Sequence, residues 1–204
     1  LTPIRDGSHA HFNLGEDRPT ILVLGGSQGA ARINDAIVNA LPGLTEQYNV
    51  IHQAREKNAD VVYETAEVVL HNEESKQSRY KVFATLDAQT LRYAAGIADC
   101  VVTRAGSSLF EIARWQIPAI VVPITHSNGN HQRQNAFAFA RSGAGTVIEE
   151  DNLTPNILIA EINRILASPE TRASMSEAGA SFAKNRGESV IADALIDIAL
   201  EHES

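Results

Sequence analysis

TILVLGGSQGA, residues 20–30, joins five apolar or β-branched residues to a glycine-rich turn. A short run of this kind without polar alternation is typical of a strand covered on both faces, as in parallel sheets. Glycines let the backbone turn sharply, and the amides that open a following helix favour a bound phosphate. The stretch therefore predicts the first strand of an α/β sheet and an anion-binding turn formed by Gly26, Ser27, Gln28 and Gly29.

Apolar runs alternate with helical patterns along most of the chain. The predicted strands are Thr20–Leu24, Val50–Gln53, Tyr80–Ala84, Cys100–Thr103, Ala119–Val122 and Gly145–Ile148. The predicted helices are Ala30–Leu41, Asn58–Leu70, Ala88–Ile97, Leu109–Gln116, Gln132–Ser142, Thr154–Ala167, Glu170–Lys184 and Ser189–His202. Because strands separated by helices cannot form hairpins, the sequence predicts a Rossmann-like, doubly wound parallel sheet of about six strands with C-terminal helices.

Capping residues predict where several helices begin and end. Asp87 is a predicted N-cap, and Thr154–Pro155 and Ser168–Pro169 open two further helices. Gly43 and Gly143 are predicted to end helices. The polar stretch 71–79 is predicted to be a loop.

Composition excludes several classes of protein. The chain has 204 residues, 44% hydrophobic and 21% charged, with a net charge of −8, which argues against global disorder and against a nucleic-acid-binding surface. Its longest apolar run, Ile117–Ile124, is too short to cross a bilayer. One cysteine and no signal segment indicate the cytoplasm. Met175 is the only methionine, so we expect residues 1–204 to be a single domain from a longer protein.

The fourth predicted strand also runs into a small, hydroxyl-rich turn. Arg104 precedes Gly106, Ser107 and Ser108, and Glu111 lies early in the next helix. This arrangement predicts backbone and hydroxyl donors for a diphosphate, with a cation beside them. A carboxylate at the position of Glu111 can accept two hydrogen bonds from vicinal ribose hydroxyls, although it also simply suits the helix dipole.

The segment after the fifth predicted strand, residues 123–135, is rich in amides and imidazoles. Amide side chains both donate and accept, which suits them to sugar hydroxyls, although a polar surface loop is the alternative. A metal site at His126 and His131 is not supported, because their spacing fits no common site and no cysteine or acid joins them.

These residues suggest three other interpretations of the chain. Residues 25–29 match G-x-S-x-G, which would make Ser27 a hydrolase nucleophile with His126 or His131 as base and Asp99 or Asp87 as orienter. A dinucleotide site is disfavoured because no acid ends the second strand. A non-catalytic nucleotide-binding or interaction module is the third alternative.

Taken together, the motifs resemble the MurG family of peptidoglycan N-acetylglucosaminyltransferases, which have the GT-B fold. The similarity rests on GGSQGA at 25–30, RAGSS at 104–108 before EIA at 111–113, IPAIVVP at 117–123 and HQRQNA at 131–136. It covers essentially all of the chain as the C-terminal, donor-binding domain. The resemblance implies inverting, metal-independent transfer of N-acetylglucosamine from UDP-N-acetylglucosamine to lipid I, giving lipid II, with no cofactor. Another GT-B transferase with a different acceptor or UDP-sugar is the alternative within this fold.

The resemblance also implies a role for individual residues. Arg5, Ser27 and Arg104 would stand near the diphosphate with the backbone of 106–108, Glu111 would bind the ribose, and the backbone of Leu86 would read the uracil. Gln132 would read the donor sugar with His131 and Asn135 close by. The implied substrate-binding set is Arg5, Gly26, Ser27, Gln28, Gly29, Leu86, Arg104, Gly106, Ser107, Ser108, Glu111, His131, Gln132 and Asn135.

The sequence departs from the family pattern at three places. The stretch from Arg104 to Glu111 is one residue shorter, His131 stands where many members have glutamine, and Ala54 replaces an expected glycine. The acceptor-binding half and the general base would lie in a preceding domain, so no catalytic residue is predicted here. We expect this domain alone to bind UDP-N-acetylglucosamine weakly and to transfer nothing.

The resemblance places the full-length enzyme at the cytoplasmic face of the inner membrane as a peripheral protein. It would meet lipid I through the other domain, without membrane insertion by this one. The helix predicted in 185–204 would pack against that other domain.

Overall fold

A computed structural model of the chain describes residues 1–25, 31–124 and 131–184. The predicted turn residues Gly26, Ser27, Gln28 and Gly29 lie outside the described residues. So do His126 and the predicted helix Ser189–His202. Everything said below of contacts and elements refers to the described ranges.

Six parallel strands form one sheet, as the sequence predicts. They are β1 (Thr20–Leu24), β2 (Asn49–Gln53), β3 (Tyr80–Phe83), β4 (Ala98–Thr103), β5 (Ala119–Val121) and β6 (Gly145–Val147). Their order across the sheet is β3-β2-β1-β4-β5-β6, which is the doubly wound order of the Rossmann fold. The chain therefore reverses its direction of winding between β1 and β4.

Helices connect the strands and cover both faces of the sheet. The helices are α1 (Ser8–Phe12), α2 (Ala31–Gln47), α3 (Glu56–Val69), α4 (Glu74–Gln77), α5 (Ala88–Ile97), α6 (Ser108–Trp115), α7 (His131–Arg141) and α8 (Pro155–Leu166). A short 3₁₀ helix covers Glu150–Asn152. Helical backbone over 169–184, called α9 here, follows α8.

Alternate residues of β1 point into two separate hydrophobic layers. Ile21 and Val23 lie in the layer that α2, α3 and α8 cover. Leu22 and Leu24 lie in the layer that α5, α6 and α7 cover. All five residues of β1 are buried, so the absence of polar alternation in this strand follows from its two covered faces.

The structure confirms the predicted helix starts. The Asp87 carboxylate accepts from the Thr90 amide at 2.7 Å, and these amide contacts lower the pKa of Asp87. The Thr154 and Ser168 hydroxyls accept from the amides of Ile157 and Thr171 at 3.3 and 3.1 Å. These side chains satisfy helix amides that have no partner inside the helix.

The prediction that Gly43 ends a helix is wrong. Gly43 lies inside α2, which continues past it to Gln47. The last turn buries Leu44 and Thr45 completely, and this packing outweighs the weak helix propensity of glycine. A Cβ at position 43 would lie 3.1 Å from Ile159, so the glycine lets α8 approach closely. Gly143, with φ of +87°, does follow the end of α7.

Residues 1–5 lie along α5 and α6. The Ile4 amide donates to the Arg92 carbonyl at 2.9 Å, and Trp115 Nε1 donates to the Leu1 carbonyl at 2.8 Å. A Cβ at Gly96 would collide with the carbonyl oxygen of Ile4. Glycine at position 96 is therefore what allows this segment to lie directly on α5.

Candidate functional site

The site lies at the carboxyl edge of the sheet, where β1 and β4 are neighbours. Leu24 pairs with Thr103 at the ends of these strands, and their following turns lead to helices in different layers. In doubly wound sheets, ligands bind in the crevice that opens at such a reversal. The turn after β1 begins at Gly25, and the turn after β4 carries residues 104–107.

Gln53 joins the turns that follow β1 and β3. Its carbonyl accepts from the Gly25 amide at 3.3 Å, and its side-chain oxygen accepts from the Leu86 amide at 3.0 Å. Gln53 is only 7% exposed, so both contacts are shielded from water. The amide of Leu86 is thereby occupied, whereas no described residue donates to its carbonyl.

We expect Gln53→Ala to loosen the turn that carries Leu86. The variant removes the acceptor of a buried amide, which costs about 1–3 kcal/mol. Exchange of the Leu86 amide with deuterium, measured by NMR, should accelerate by roughly 5- to 150-fold. Gln77→Ala is the matched control, because Gln77 also bonds the backbone but at the Leu70 carbonyl. Equal exchange at Leu86 in both variants would contradict the assignment.

The first turn of α6 presents amides and a carboxylate. Ser107 has helical φ and ψ of −59° and −24° and makes no side-chain cap. No described residue accepts from the amides of Ser107 or Ser108, which flank Gly106 at the positive end of the helix. The Glu111 side chain is 43% exposed and lies 3.7 Å from the amino group of Leu1. Donors for an anion and acceptors for hydroxyls thus occur one helical turn apart.

Arg104 is committed to the protein interior. Its guanidinium donates to the Val122 carbonyl at 3.2 Å and forms an ion pair with Glu150 at 2.5 Å. The side chains of Arg104 and Glu150 are 3% and 14% exposed. The contact to Val122 ties the turn after β4 to the end of β5. Arg104 therefore stabilises the protein side of the crevice.

The side chains predicted to bind the donor sugar lie at the start of α7. Gln132 Oε1 accepts from the Ile124 amide at 3.3 Å, and Asn135 Nδ2 donates to the Ala105 carbonyl at 3.4 Å. These bonds bring α7 to the turn after β4, and neither the Gln132 amide nitrogen nor the Asn135 amide oxygen bonds a described residue. His131 is exposed as the first residue of α7.

Arg5 does not join this group. It lines a cavity of about 640 Å³ with Pro19, Ala98 and Asp99, residues at the starts of β1 and β4. A strand of five residues is about 17 Å long, so Arg5 lies at the opposite, amino edge of the sheet. A second cavity, of about 500 Å³, lies between α3, α4 and β3. Of the described predicted site residues, only Arg5 lines either cavity.

A series of buried, hydrogen-bonded side chains joins β2 to the elements on either side of it. Asn34 Nδ2 donates to the Ala54 carbonyl at 3.0 Å, so Asn34 Oδ1 accepts from His52 Nε2, also at 3.0 Å. His52 Nδ1 then accepts from the Tyr80 hydroxyl at 2.8 Å. Complete burial lowers the pKa of His52 to about 3, and burial raises the pKa of Tyr80. His52 is therefore neutral and joins α2, β2 and β3.

Sequence reasoning missed Arg55, which follows β2 directly. Its φ of +73° and ψ of 147° belong to a region that glycine occupies almost alone. Its Nε donates to the Gly25 carbonyl at 3.0 Å. The signal was available: a cation stands at the carboxyl end of a strand beside the glycine-rich turn. The resemblance expected a glycine in this neighbourhood, at Ala54, but Arg55 adopts the glycine-like conformation.

Both predicted orienting acids of the hydrolase alternative are engaged elsewhere, whereas Ser27 and His126 lie outside the described residues. Asp99 accepts from the Thr20 amide at 2.8 Å at the amino edge, and Asp87 caps α5. Burial, first of all, raises the pKa of the Cys100 thiol to about 12, so this thiol is not a nucleophile near neutral pH. None of the helices within the described ranges is long and apolar enough to cross a bilayer.

Comparison with known proteins places these features in a family. The family model of the glycosyltransferase family 28 C-terminal domain matches residues 20–191. A UDP-N-acetylglucosamine--N-acetylmuramyl-(pentapeptide) pyrophosphoryl-undecaprenol N-acetylglucosamine transferase of Mycobacterium ulcerans is 33% identical over 96% of this chain and 48% of its own length. The protein of the same name from Nocardia farcinica is 35% identical over 88% of this chain and 45% of its own length.

Structural comparison agrees on the fold. The crystal structure of Acinetobacter baumannii MurG superposes with a TM-score of 0.66 at 23% identity, covering 84% of this chain and 47% of that one. The chain spans about half the length of the curated relatives it matches. The match over most of the sequence confirms the predicted family and the α/β, GT-B-type fold, and disfavours the hydrolase interpretation. The chain belongs to the glycosyltransferase family 28 C-terminal domain family.

Proposed function

We propose that this chain is the donor-binding domain of a MurG-type transferase and that it binds UDP-N-acetylglucosamine at the carboxyl edge of its sheet. The observation that carries the proposal is the start of α6 at the reversal between β1 and β4. It combines the amides of Ser107 and Ser108, which donate to no described residue, with the half-exposed carboxylate of Glu111. The relatives named above are N-acetylglucosamine transferases whose names include UDP-N-acetylglucosamine, which supports the choice of nucleotide sugar.

The nucleotide sugar would cross the carboxyl edge of the sheet, with its uracil at the turn after β3 and its sugar at the start of α7. The Leu86 carbonyl accepts from N3–H of uracil, and Glu111 accepts from the two ribose hydroxyls. The amides of Ser107 and Ser108 bind the diphosphate with the turn 26–29. The Gln132 amide nitrogen and the Asn135 amide oxygen then meet the sugar hydroxyls, with His131 beside them.

The chemical contribution of this domain is to stabilise the leaving group. When the acceptor hydroxyl forms its bond to the anomeric carbon, the bond from that carbon to the phosphate oxygen breaks and UDP carries the electron pair. Amides at a helix N-terminus stabilise the negative charge that develops on the phosphate. The acceptor, lipid I, and the base that takes its proton would belong to a preceding domain at the cytoplasmic membrane face. The chain alone is therefore expected to bind the donor without transferring its sugar.

Competition calorimetry with UDP, UDP-N-acetylglucosamine and UDP-glucose tests the proposal. Glu111→Gln keeps the shape of the side chain but removes its charge, and a hydrogen bond to a charged group contributes about 1.5–3 kcal/mol. We expect UDP to bind Glu111→Gln roughly 10- to 150-fold more weakly. 2′-Deoxy-UDP should bind the wild type more weakly than UDP does, and Glu111→Gln should reduce that difference.

Glu64→Gln is the matched control, because Glu64 is an exposed carboxylate on α3 away from α6. It is expected to bind UDP as the wild type does. If wild-type protein fails to bind UDP or UDP-sugars, the proposed function is wrong. If it binds them and Glu111→Gln behaves like Glu64→Gln, the ribose assignment is wrong.

A further inference from the structure

A cation beside the diphosphate would add to the helix amides of the proposed site, and the structure places two predicted candidates elsewhere. Arg104 is buried on Val122 and Glu150. Arg5 lines the cavity at the amino edge with Pro19 and Asp99. A UDP anion at the carboxyl edge would therefore face helix amides without either of these charges.

Arg55 is a charged group that does reach the carboxyl edge. Its Nε donates to the Gly25 carbonyl, the residue at which the glycine-rich turn begins. The side chain is half-buried, and its two terminal nitrogens make no hydrogen bond or ion pair with any described residue. A guanidinium held through Nε keeps its remaining N–H groups oriented in one plane, the geometry that bidentate phosphate binding uses.

The backbone at Arg55 adds a second, independent observation. At φ of +73° and ψ of 147°, a residue with a Cβ is disfavoured, whereas glycine adopts this conformation readily. The direction of β2 and the start of α3 impose this conformation on position 55, and here it is filled by arginine. In this backbone conformation the Arg55 side chain reaches the Gly25 carbonyl at the crevice.

We infer that Arg55 binds the diphosphate of the nucleotide donor at the carboxyl edge of the sheet. The inference rests on the proposed function and extends it to a residue outside the implied donor set. Arg55 would supply the charge that neither Arg104 nor Arg5 brings to the crevice, and its bond to Gly25 would hold the residue that follows β1.

Two substitutions separate binding from backbone strain. Arg55→Gln removes the charge, and the expected result is at least 10-fold weaker binding of UDP with unchanged binding of uridine. Arg55→Gly removes both the charge and the strain, so it should bind UDP equally weakly. Its thermal unfolding midpoint should nevertheless rise by about 2–4 °C. A purely structural arginine would not give higher stability together with weaker diphosphate binding.

The control is Arg141→Gln, because Arg141 is an exposed cation in the last turn of α7, far from the carboxyl edge. Calorimetry with UDP, UMP and uridine on all four proteins gives the answer. Equal UDP affinity of Arg55→Gln and Arg141→Gln overturns the inference, and so does an equal loss for UDP and uridine in Arg55→Gln. If the wild type binds neither UDP nor uridine, the proposed function itself fails and the inference fails with it.

Discussion

Arg104→Met is expected to lower the free energy of unfolding by about 3–5 kcal/mol. The substitution removes the Arg104 guanidinium from Glu150, whose side chain is 14% exposed. A carboxylate in that environment is costly because little water can solvate it. Arg104→Met also removes the hydrogen bond that ties the turn after β4 to the Val122 carbonyl. Urea unfolding followed by circular dichroism measures the change.

A neighbouring ion pair provides the matched control. Arg133 contacts Glu149 at 2.7 Å, but both side chains are exposed, by 51% and 40%. Arg133→Met should therefore cost only about 0–1 kcal/mol. Replacing Arg104 and Glu150 together by apolar residues should recover much of the stability. If Arg104→Met and Arg133→Met lower the free energy of unfolding equally, Arg104 does not support the fold. If Arg104→Met mainly weakens UDP binding, the diphosphate contact implied by the resemblance is favoured.

Acidification from pH 6.5 to about 3 is expected to remove about 5 kcal/mol of stability through His52 alone. The pKa of His52 is lowered from 6.5 to about 3 by its complete burial. Between these values the unfolded chain binds a proton at this imidazole and the folded chain does not, so falling pH favours unfolding. The contribution is fully present above pH 6.5 and declines by about 1.4 kcal/mol per pH unit below it.

Urea unfolding of the wild type and of His52→Gln at a series of pH values isolates this term. Carboxylates titrate in both proteins and cancel in the difference, whereas glutamine cannot take up a proton. The wild type should be more stable at pH 7, and the difference should narrow steadily towards pH 4. A difference independent of pH would show that His52 keeps an ordinary pKa in the folded protein.

Sequence pattern was sufficient for the sheet and most helices because burial on both faces leaves a local signature. β1 and α5 have the predicted bounds, and each of the other strands differs from its predicted bounds by one or two residues at one end. Two short helices, α1 and α4, were missed, since four or five residues carry too little periodicity to be recognised. α4 lies inside the predicted loop 71–79, where Lys76 contacts Glu73 and Glu46. The Lys76–Glu46 contact forms only when α4 packs against α2, so the local sequence does not indicate it.

The candidate site was predictable as a set of turns, but not in the roles of its cations. A glycine or serine turn after a strand can be read locally, and so can an acid in the following helix. The partner of Arg104 lies 46 residues further along the chain, and the edge at which Arg5 lies depends on how residues 1–5 pack on α5. Arg55 was missed because its backbone conformation is decided by the joining of β2 to α3.

The strand order has a consequence for association between molecules. A sheet exposes unpaired backbone groups only at its two outer strands, which here are β3 and β6. β3 has four residues, one of them Lys81, and β6 has three. Such short outer strands, one of them carrying a charge, give an incoming strand little to pair with. The longest strand, β4, and the fully buried β1 lie at the centre of the sheet, where both of their edges are paired.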